Sequence, residues 1–170
     1  MKLERVILNM LNNQNITPLM KRAQDQCKIA QMQFEIIPLP DDLPLDVASH
    51  IKFHGITMSE AIPTLIFKTE KGFIAVQKRT DTKINSSKLK KLAGVNNLNF
   101  ASPEDLKELG VEIGIVPLTG LSFPHYIDEK VLEVPVVYGG NGSKSYALKL
   151  NSRDLVEVNK AIIGDFTEHI

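Results

Sequence analysis

Two histidines lie at a spacing that metal sites often use. His50 and His54 are four residues apart, so both lie on one face of a helix, as zinc ligands often do. Ile51 occupies the place where a zinc protease would need glutamate, which excludes that chemistry. His125 or Asp128 would have to complete a site through the tertiary fold. We keep a small metalloprotein as a third hypothesis, behind the two given below.

Two glycine-rich segments are candidates for ligand contact through backbone amides. In residues 110–121, three glycines and a proline interrupt an apolar stretch, which marks either a turn or a close approach of ligand and backbone. Residues 139–142 have the sequence GGNG, which is typical of a turn with positive φ or of a loop whose N–H groups meet a ligand. The sequence leaves both interpretations open. It contains no Walker loop, no GxGxxG at a helix start and no GxSxG elbow.

Charge is distributed unevenly along the chain, although its sum is zero. Twenty basic residues balance twenty acidic ones over 170 residues. Residues 78–91 contain six lysines or arginines against one aspartate, whereas residues 102–133 contain two lysines against seven carboxylates. A basic run of this kind is either a solvated face or a surface for a phosphate backbone, where each lysine adds salt-sensitive affinity.

The composition is that of a globular protein. Its hydrophobic fraction is 43% and its charged fraction 24%, which is too apolar for disorder. The uncharged stretch of residues 113–127 is broken by glycines and prolines and is shorter than the roughly 20 apolar residues of a membrane span. A single cysteine, Cys27, rules out a disulfide framework, and its apolar setting predicts a buried hydrophobe. We expect one cytoplasmic domain over residues 1–170 without membrane association.

Helical periodicity with matching end signals predicts six helices. Thr17 and Ser102 are predicted N-caps, each followed by proline at the first helical position. Gly55, Gly94 and Gly110 follow the last helical residues, where a left-handed conformation is needed. The predicted helices cover residues 3–11, 18–34, 45–54, 86–93 and 102–109, and the last one runs from Ser152 through Leu155 and Val158 to Ile162.

Apolar runs predict six strands. Two of them, TLIF and FIAV, are separated by turn-forming residues and indicate a hairpin. Strands mixed with helices in this way favour an α/β fold of the α+β type, with a mixed sheet covered by helices. The predicted strands cover residues 34–38, 64–67, 73–76, 111–116, 131–138 and 145–150.

The order of these segments resembles the YbaK/prolyl-tRNA synthetase-associated domain family. A TLIF strand paired with FIAV is followed by KLKKLAG, PEDLKELGVEIGIVPLTGL, YIDEKVLE and VVYGGNGSKSYALKL. The resemblance covers residues 34–163 and leaves residues 1–33 as a helical N-terminal extension. It implies a mixed, partly curled central β-sheet covered by helices. Members of this family are free-standing or synthetase-appended domains that edit aminoacyl-tRNA.

The resemblance also implies a reaction and a site. The reaction is hydrolysis of the ester between a wrongly attached amino acid and the tRNA 3′ end, without cofactor or metal. Glycine amides in the pocket would stabilise the oxyanion that develops on the ester carbonyl. The partners would be mischarged tRNA and an aminoacyl-tRNA synthetase, and the basic run is expected beside the pocket. By position, the pocket residues are Thr64, Gly114, Gly140, Asn141 and Gly142, with Asp128 as a structural neighbour, and the tRNA contacts are Lys83, Lys88, Lys90 and Lys91.

Two positions depart from the family pattern. Members carry a lysine immediately before the Thr-Leu of the first hairpin strand, where this chain has Pro63, which has neither charge nor a backbone donor. Lys68 and Lys78 are the candidate substitutes for that lysine. Gly140 occupies a position where related domains carry serine or histidine. The sequence therefore favours an aminoacyl-tRNA deacylase, with a catalytically impaired binding module for tRNA or a partner protein as the alternative.

Overall fold

The computed structural model describes residues 17–170, which form helices and short strands in alternation. The helix predicted over residues 3–11 lies outside the described residues. The helices are α1 (Pro18–Ile29), α2 (Val47–His54), α3 (Ser86–Ala93), α4 (Pro103–Glu108) and α5 (Ser152–Val158), with a 3-10 helix at Glu129–Glu133. The strands are β1 (Phe34–Pro38), β2 (Thr64–Thr69), β3 (Gly72–Gln77), β4 (Thr82–Ile84), β5 (Asn99–Phe100), β6 (His125–Asp128), β7 (Val136–Ser143), β8 (Tyr146–Asn151), β9 (Ile162–Gly164) and β10 (Thr167–His169).

Two sheets and a two-stranded ribbon organise the described chain. A mixed sheet has the order β5–β2–β3–β6–β9, in which the first three strands pair antiparallel and the last three pair parallel. An antiparallel sheet has the order β1–β8–β7, and β4 pairs with β10. The isolated bridges Ala61–Tyr138 and Pro117–Gly140 tie β7 to neighbouring loops. These elements confirm the predicted α/β class with mixed sheets and helices.

Helix ends follow the predicted capping signals. The side chain of Thr17 accepts a hydrogen bond from the Met20 amide, and Ser102 forms a capping box with Asp105. Gly55 and Gly94 end α2 and α3 in the left-handed conformation, with φ of 64° and 65°. The predicted β2–β3 hairpin is also confirmed, with Thr64 opposite Gln77.

Three predicted elements are wrong in detail. Residues 111–116 form a loop instead of a strand, because Gly114 has a φ of 88° and Pro117 lacks an amide donor. The strand predicted over 131–138 starts only at Val136, since Pro135 cannot donate to a ladder and a 3-10 helix precedes it. Residues 139–142 are part of β7, with a bulge, and the turn falls at residues 144–145.

The C-terminal segment also differs from its prediction. Asn151, not Ser152, caps α5, and the helix ends at Val158. Ile162 lies in β9, beside β6. The pattern missed β4, β5, β6, β9 and β10 because strands of two to four residues are too short to show alternation.

Helix α1 is integrated into the core and is not an appendage. Met20 and Cys27 are fully buried among residues of β1, β7 and β8, while Leu19 belongs to a second cluster with Ile66 of β2. The full burial of Cys27 confirms the prediction of a buried hydrophobe, and burial raises the pKa of its thiol to about 11. The helix thereby holds β7 and the loop that precedes β6 in place.

Candidate functional site

A cavity of about 540 Å³ is bounded by both sheets and by α2. Four sequence positions that the family resemblance associates with a substrate pocket meet in its wall: Pro63, Thr64, Gly114 and Gly140. Most of the remaining lining is apolar. At the edge of this lining, the side chains of Phe100 and Ile113 are 67% and 72% exposed. A concave apolar site with a few polar groups is typical of a ligand pocket. The apolar lining includes Ile62, Ile66, Leu106, Ile115, Val116 and Ala147.

Two glycines allow the cavity wall to form. A Cβ on Gly140 would collide with the carbonyl oxygen of Val116, because β7 and the preceding loop run side by side there. Gly114 combines a φ of 88° with a close contact, since an added Cβ would lie 3.2 Å from Cβ of Leu45. A serine or histidine side chain, as in relatives, does not fit at position 140 with the loop in this position.

Thr64 presents a hydroxyl whose orientation is fixed by a buried network. The Gln77 amide nitrogen donates both to Thr64 Oγ1 at 2.9 Å and to the Leu118 carbonyl at 2.7 Å. Asn159 donates to the same carbonyl at 2.9 Å. Thr64 is therefore the acceptor in its contact with Gln77 and keeps its own proton for a ligand in the cavity.

Gly114 and Val116, two residues in the loop of residues 111–118, line the cavity and have backbone amides without an acceptor in the described chain. Ile115 N–H donates to Glu112, and Leu118 N–H donates to Gly140. The N–H groups of Gly114 and Val116, which both line the cavity, have no acceptor among residues 17–170. Free amides two residues apart in one loop can stabilise a developing oxyanion when both point at it.

Helix α2 contributes the titratable part of the lining. His50 and His54 line the cavity together with Val47 and Ile51. In the order Val47, His50, Ile51, His54, these residues lie at i, i+3, i+4 and i+7 of the helix. Burial lowers the pKa of both imidazoles. Sequence analysis considered these histidines only as metal ligands, whereas the helical stripe that they share with Val47 and Ile51 could have placed them in a pocket. Among residues 17–170, no group of three or more His, Cys, Asp or Glu could hold a metal ion.

An aromatic and cationic group flanks α2, and sequence analysis missed it. The rings of His54 and Tyr138 have centroids 5.3 Å apart, and Tyr138 lines the cavity. Lys149, opposite Tyr138 on β8, places its ammonium 5.4 Å from the centre of that ring. A hydrogen bond with Tyr138 raises the pKa of Lys149. The alternation of polar and apolar residues in β8 was the sequence signal that could have placed Lys149 on the same face of the sheet as Tyr138.

No lysine or arginine of the described residues lines the cavity. Lys68 lies at the far end of β2, 2.9 Å from Asp105, which raises its pKa through a hydrogen bond. Lys78 donates to the carbonyls of Arg79 and Thr82 at 3.1 and 2.6 Å, and burial lowers its pKa. Neither candidate for the missing family lysine is therefore placed at Pro63.

Three other predicted site residues lie outside the cavity lining. Asn141 is fully buried and Gly142 packs against α1, where its added Cβ would lie 2.7 Å from Leu19 Cβ. Asp128 is fully buried and accepts from the amides of Phe166 and Thr167 at 2.8 and 3.0 Å. Asp128 therefore anchors the C-terminal segment and acts at a distance from the pocket.

The lysines of α3 do not lie beside the cavity as the sequence suggested, although Thr80, near the start of the basic run, does line it. Leu89 of α3 packs with Phe67 and Val76, whereas the cavity contacts the opposite face of β2 through Thr64 and Ile66. The five-stranded sheet thus separates α3 from the cavity. The lysines at positions 83, 88 and 91 are exposed and Lys90 is half-buried, with Lys88 3.2 Å from Asp165.

Comparison with known proteins gives this cavity a family context. The sequence profile of the aminoacyl-tRNA editing domain matches residues 46–158, well over half of the chain, and these residues supply most of the cavity wall. The chain belongs to the aminoacyl-tRNA editing domain family. This confirms the resemblance found in the sequence.

Relatives with curated functions are proline–tRNA ligases. The ligase of Caldicellulosiruptor saccharolyticus is 30% identical over 120 residues, covering 69% of this chain and 21% of the ligase. That of Persephonella marina is 30% identical over 155 residues, covering 80% of this chain and 28% of the ligase. The chain therefore spans less than a third of the length of these editing-domain relatives.

Solved structures share the fold of this editing domain over nearly its full length. A protein proposed to be a trans-editing enzyme for prolyl-tRNA synthetase superposes with a TM-score of 0.78 at 24% identity, covering 90% of this chain and 99% of its own. The hypothetical protein APE2540 gives a TM-score of 0.79 at 27% identity, covering 86% and 99%. Within residues 17–170, no helix is long and apolar enough to cross a bilayer.

Proposed function

We propose that this editing domain hydrolyses the ester bond of a mischarged tRNA in the cavity beside Pro63. One observation carries the proposal: Pro63, Thr64, Gly114 and Gly140 line a single cavity, and the family resemblance assigns these positions to the substrate pocket. The profile match independently supports an editing role. Mischarged tRNA is accordingly the proposed substrate.

The polar groups in the wall fit ester hydrolysis. The free amides of Gly114 and Val116 supply donors for the oxyanion, and the Thr64 hydroxyl supplies a third donor for the substrate. Apolar side chains around them accept the side chain of the amino acid and exclude bulk water. The exposed ring of Phe100 offers a stacking surface for the terminal adenine.

Lys149 is the proposed replacement for the cation that Pro63 cannot supply. Its ammonium lies over Tyr138, which lines the cavity, and its side chain is 34% exposed. A phosphate of the tRNA end would displace the loose 3.6 Å pairing with Glu35. In this proposal the replacing cation lies behind Tyr138, beside the cavity and not in its lining.

The similarity to proline–tRNA ligases decides which substrate to test first. Because several relatives are such ligases, we propose tRNA for proline as the nucleic acid and a prolyl-tRNA synthetase as the source of the error. The ester would then be that of an amino acid which the synthetase attaches by mistake.

A deacylation panel tests this function. Micromolar protein is incubated with tRNA for proline carrying proline, alanine, cysteine or serine, and with correctly charged tRNAs for the last three. We expect hydrolysis of at least one mischarged tRNA and none of the correctly charged ones. If no tRNA is deacylated, the catalytic proposal is wrong. Binding without turnover would then identify the chain as the alternative, a binding module.

A further inference from the structure

The cavity contains a titratable nitrogen that the fold leaves without a partner. His50 Nε2 is buried and has no hydrogen-bond partner among residues 17–170, and His50 lines the cavity. The imidazole also makes a hydrogen bond with the backbone of Pro44. This bond falls to Nδ1, because Nε2 has no partner. A proton on Nδ1 leaves the lone pair of Nε2 without a partner among residues 17–170.

The surroundings of His50 keep the ring neutral and yet able to accept a proton. Burial lowers the pKa of His50 below its ordinary value of 6.5, and the Asp46 carboxylate opposes this effect. Hydrogen bonds from the Ser49 amide and hydroxyl lower the pKa of Asp46, so the carboxylate stays ionised beside the imidazole. An imidazolium that forms during a reaction is therefore partly stabilised.

The other titratable groups of the described cavity wall are few. His54 lies on the same helix with its ring centroid 6.1 Å from that of His50, and Tyr138 and Tyr146 face the cavity from β7 and β8. The remaining described elements around the cavity, including β2, α4 and the loop of residues 111–118, contribute no titratable side chain to the lining. His50 and His54 are thus the candidate bases near neutral pH.

We propose that His50 is the general base of the hydrolysis, a role that rests on the proposed function. A water molecule attacks the ester carbonyl carbon while His50 Nε2 takes one of its protons. The tetrahedral oxyanion is held by the amides of Gly114 and Val116. When the carbon–oxygen ester bond breaks, the imidazolium returns the proton to the ribose oxygen. The products are the free amino acid and tRNA with its hydroxyl restored.

The test measures kcat/KM between pH 5 and pH 8 on the aminoacyl-tRNA that the panel identifies. We expect the wild-type value to rise with pH through an ionisation below 6.5, the ordinary histidine value, and then to level off. His50→Gln should lower kcat/KM by about 100-fold or more and abolish that ionisation. His169→Gln, on β10 and outside the cavity lining, is the matched control and should behave as wild type.

Each outcome bears on a distinct claim. If the wild type hydrolyses its substrate and His50→Gln keeps both rate and pH profile, the general-base role is wrong and the deacylase proposal stands. If no aminoacyl-tRNA is hydrolysed, both are wrong. An ¹⁵N spectrum of the wild type with a non-hydrolysable 3′-aminoacylamido-adenosine adds a test that needs no variant. The Nε2 resonance of His50 should shift while that of His169 does not, and an unshifted resonance would overturn the role.

Discussion

At the scale of single residues, two histidines each have a buried ring nitrogen without a hydrogen-bond partner in the described chain. Nε2 of His50 and Nε2 of His125 are both buried and have no partner among residues 17–170, but only His50 belongs to a residue set that lines the cavity. Burial lowers the pKa of His125 to about 4. The first imidazole lies in the cavity wall, and the second only stabilises the fold while it remains neutral.

His125 makes stability depend on pH in a definite direction. Its pKa in the folded state lies below the unfolded value of 6.5, so its contribution is complete above pH 6.5 and is lost as pH falls toward 4. We expect this group to remove about 3 kcal/mol of unfolding free energy between pH 7 and pH 4. Urea unfolding of His125→Gln should show an acid loss smaller by that amount, with His169→Gln as control. Equal losses in wild type and His125→Gln would contradict the assignment.

At the scale of elements, the contact between β7 and the loop of residues 111–118 shapes the cavity. Gly140 permits the loop backbone to approach, and Leu118 N–H donates to its carbonyl at 3.0 Å. The atoms that a Cβ at position 140 would meet are backbone atoms of Ile115 and Val116, which cannot move aside as a flexible side chain can. The position of the Gly114 and Val116 amides therefore depends on the lack of a side chain at Gly140 in β7.

Gly140→Ala tests this contact. The added methyl group should cost about 3 kcal/mol of unfolding free energy, because it meets the Val116 carbonyl. Gly110→Ala is the control, since its added Cβ has no atom within 4 Å and only its φ of 69° opposes the change, at about 1 kcal/mol. Chemical denaturation measures both. A Gly140→Ala variant as stable as Gly110→Ala would show that the loop yields freely.

The elements differ in how far their sequence could predict them. Caps and glycine stops are local signals, and they placed the helix starts at Thr17 and Ser102 and the ends at Gly55 and Gly94. Residues 111–116 are apolar enough for a strand, but their φ values and turn hydrogen bonds depend on β7. Cavity residues such as Thr64 and Gly140 were reached through the family motif. Spacing along α2 could have placed His50 in a pocket wall, but the unpartnered Nε2 of His50 and the contact of Lys149 with Tyr138 depend on tertiary structure.

At the scale of the whole molecule, the five-stranded sheet separates the pocket from the lysines of α3 and β4. The zero net charge hides this arrangement, since α3 and β4 present lysines on the opposite side of the five-stranded sheet from Thr64. If these lysines bind tRNA, they contact its body and not the aminoacyl end. Salt-sensitive affinity and catalysis should therefore be separable.

Charge reversal of Lys83, Lys90 and Lys91 to glutamate tests that separation. We expect the affinity for full-length tRNA to fall, and the slope of log affinity against log salt to lessen by about 0.7–0.9 for each lysine–phosphate pair that the change removes. Hydrolysis of a short aminoacyl-minihelix should be unchanged. The same change at Lys21 and Lys28, exposed on α1, is the matched control. Unaltered tRNA binding in the first variant would remove the basic run from the interface.

The cavity itself is tested most directly by deacylation with Thr64→Val. This change removes the hydroxyl proposed to meet the substrate, and Thr69→Val, on the same strand with its hydroxyl bonded to Gly72 at 2.8 Å, is the matched control outside the cavity lining. The account predicts that Thr64→Val lowers kcat/KM on the mischarged tRNA about tenfold, as loss of one hydrogen bond requires, while Thr69→Val does not. Equal activity of Thr64→Val and wild type would contradict hydrolysis in this cavity.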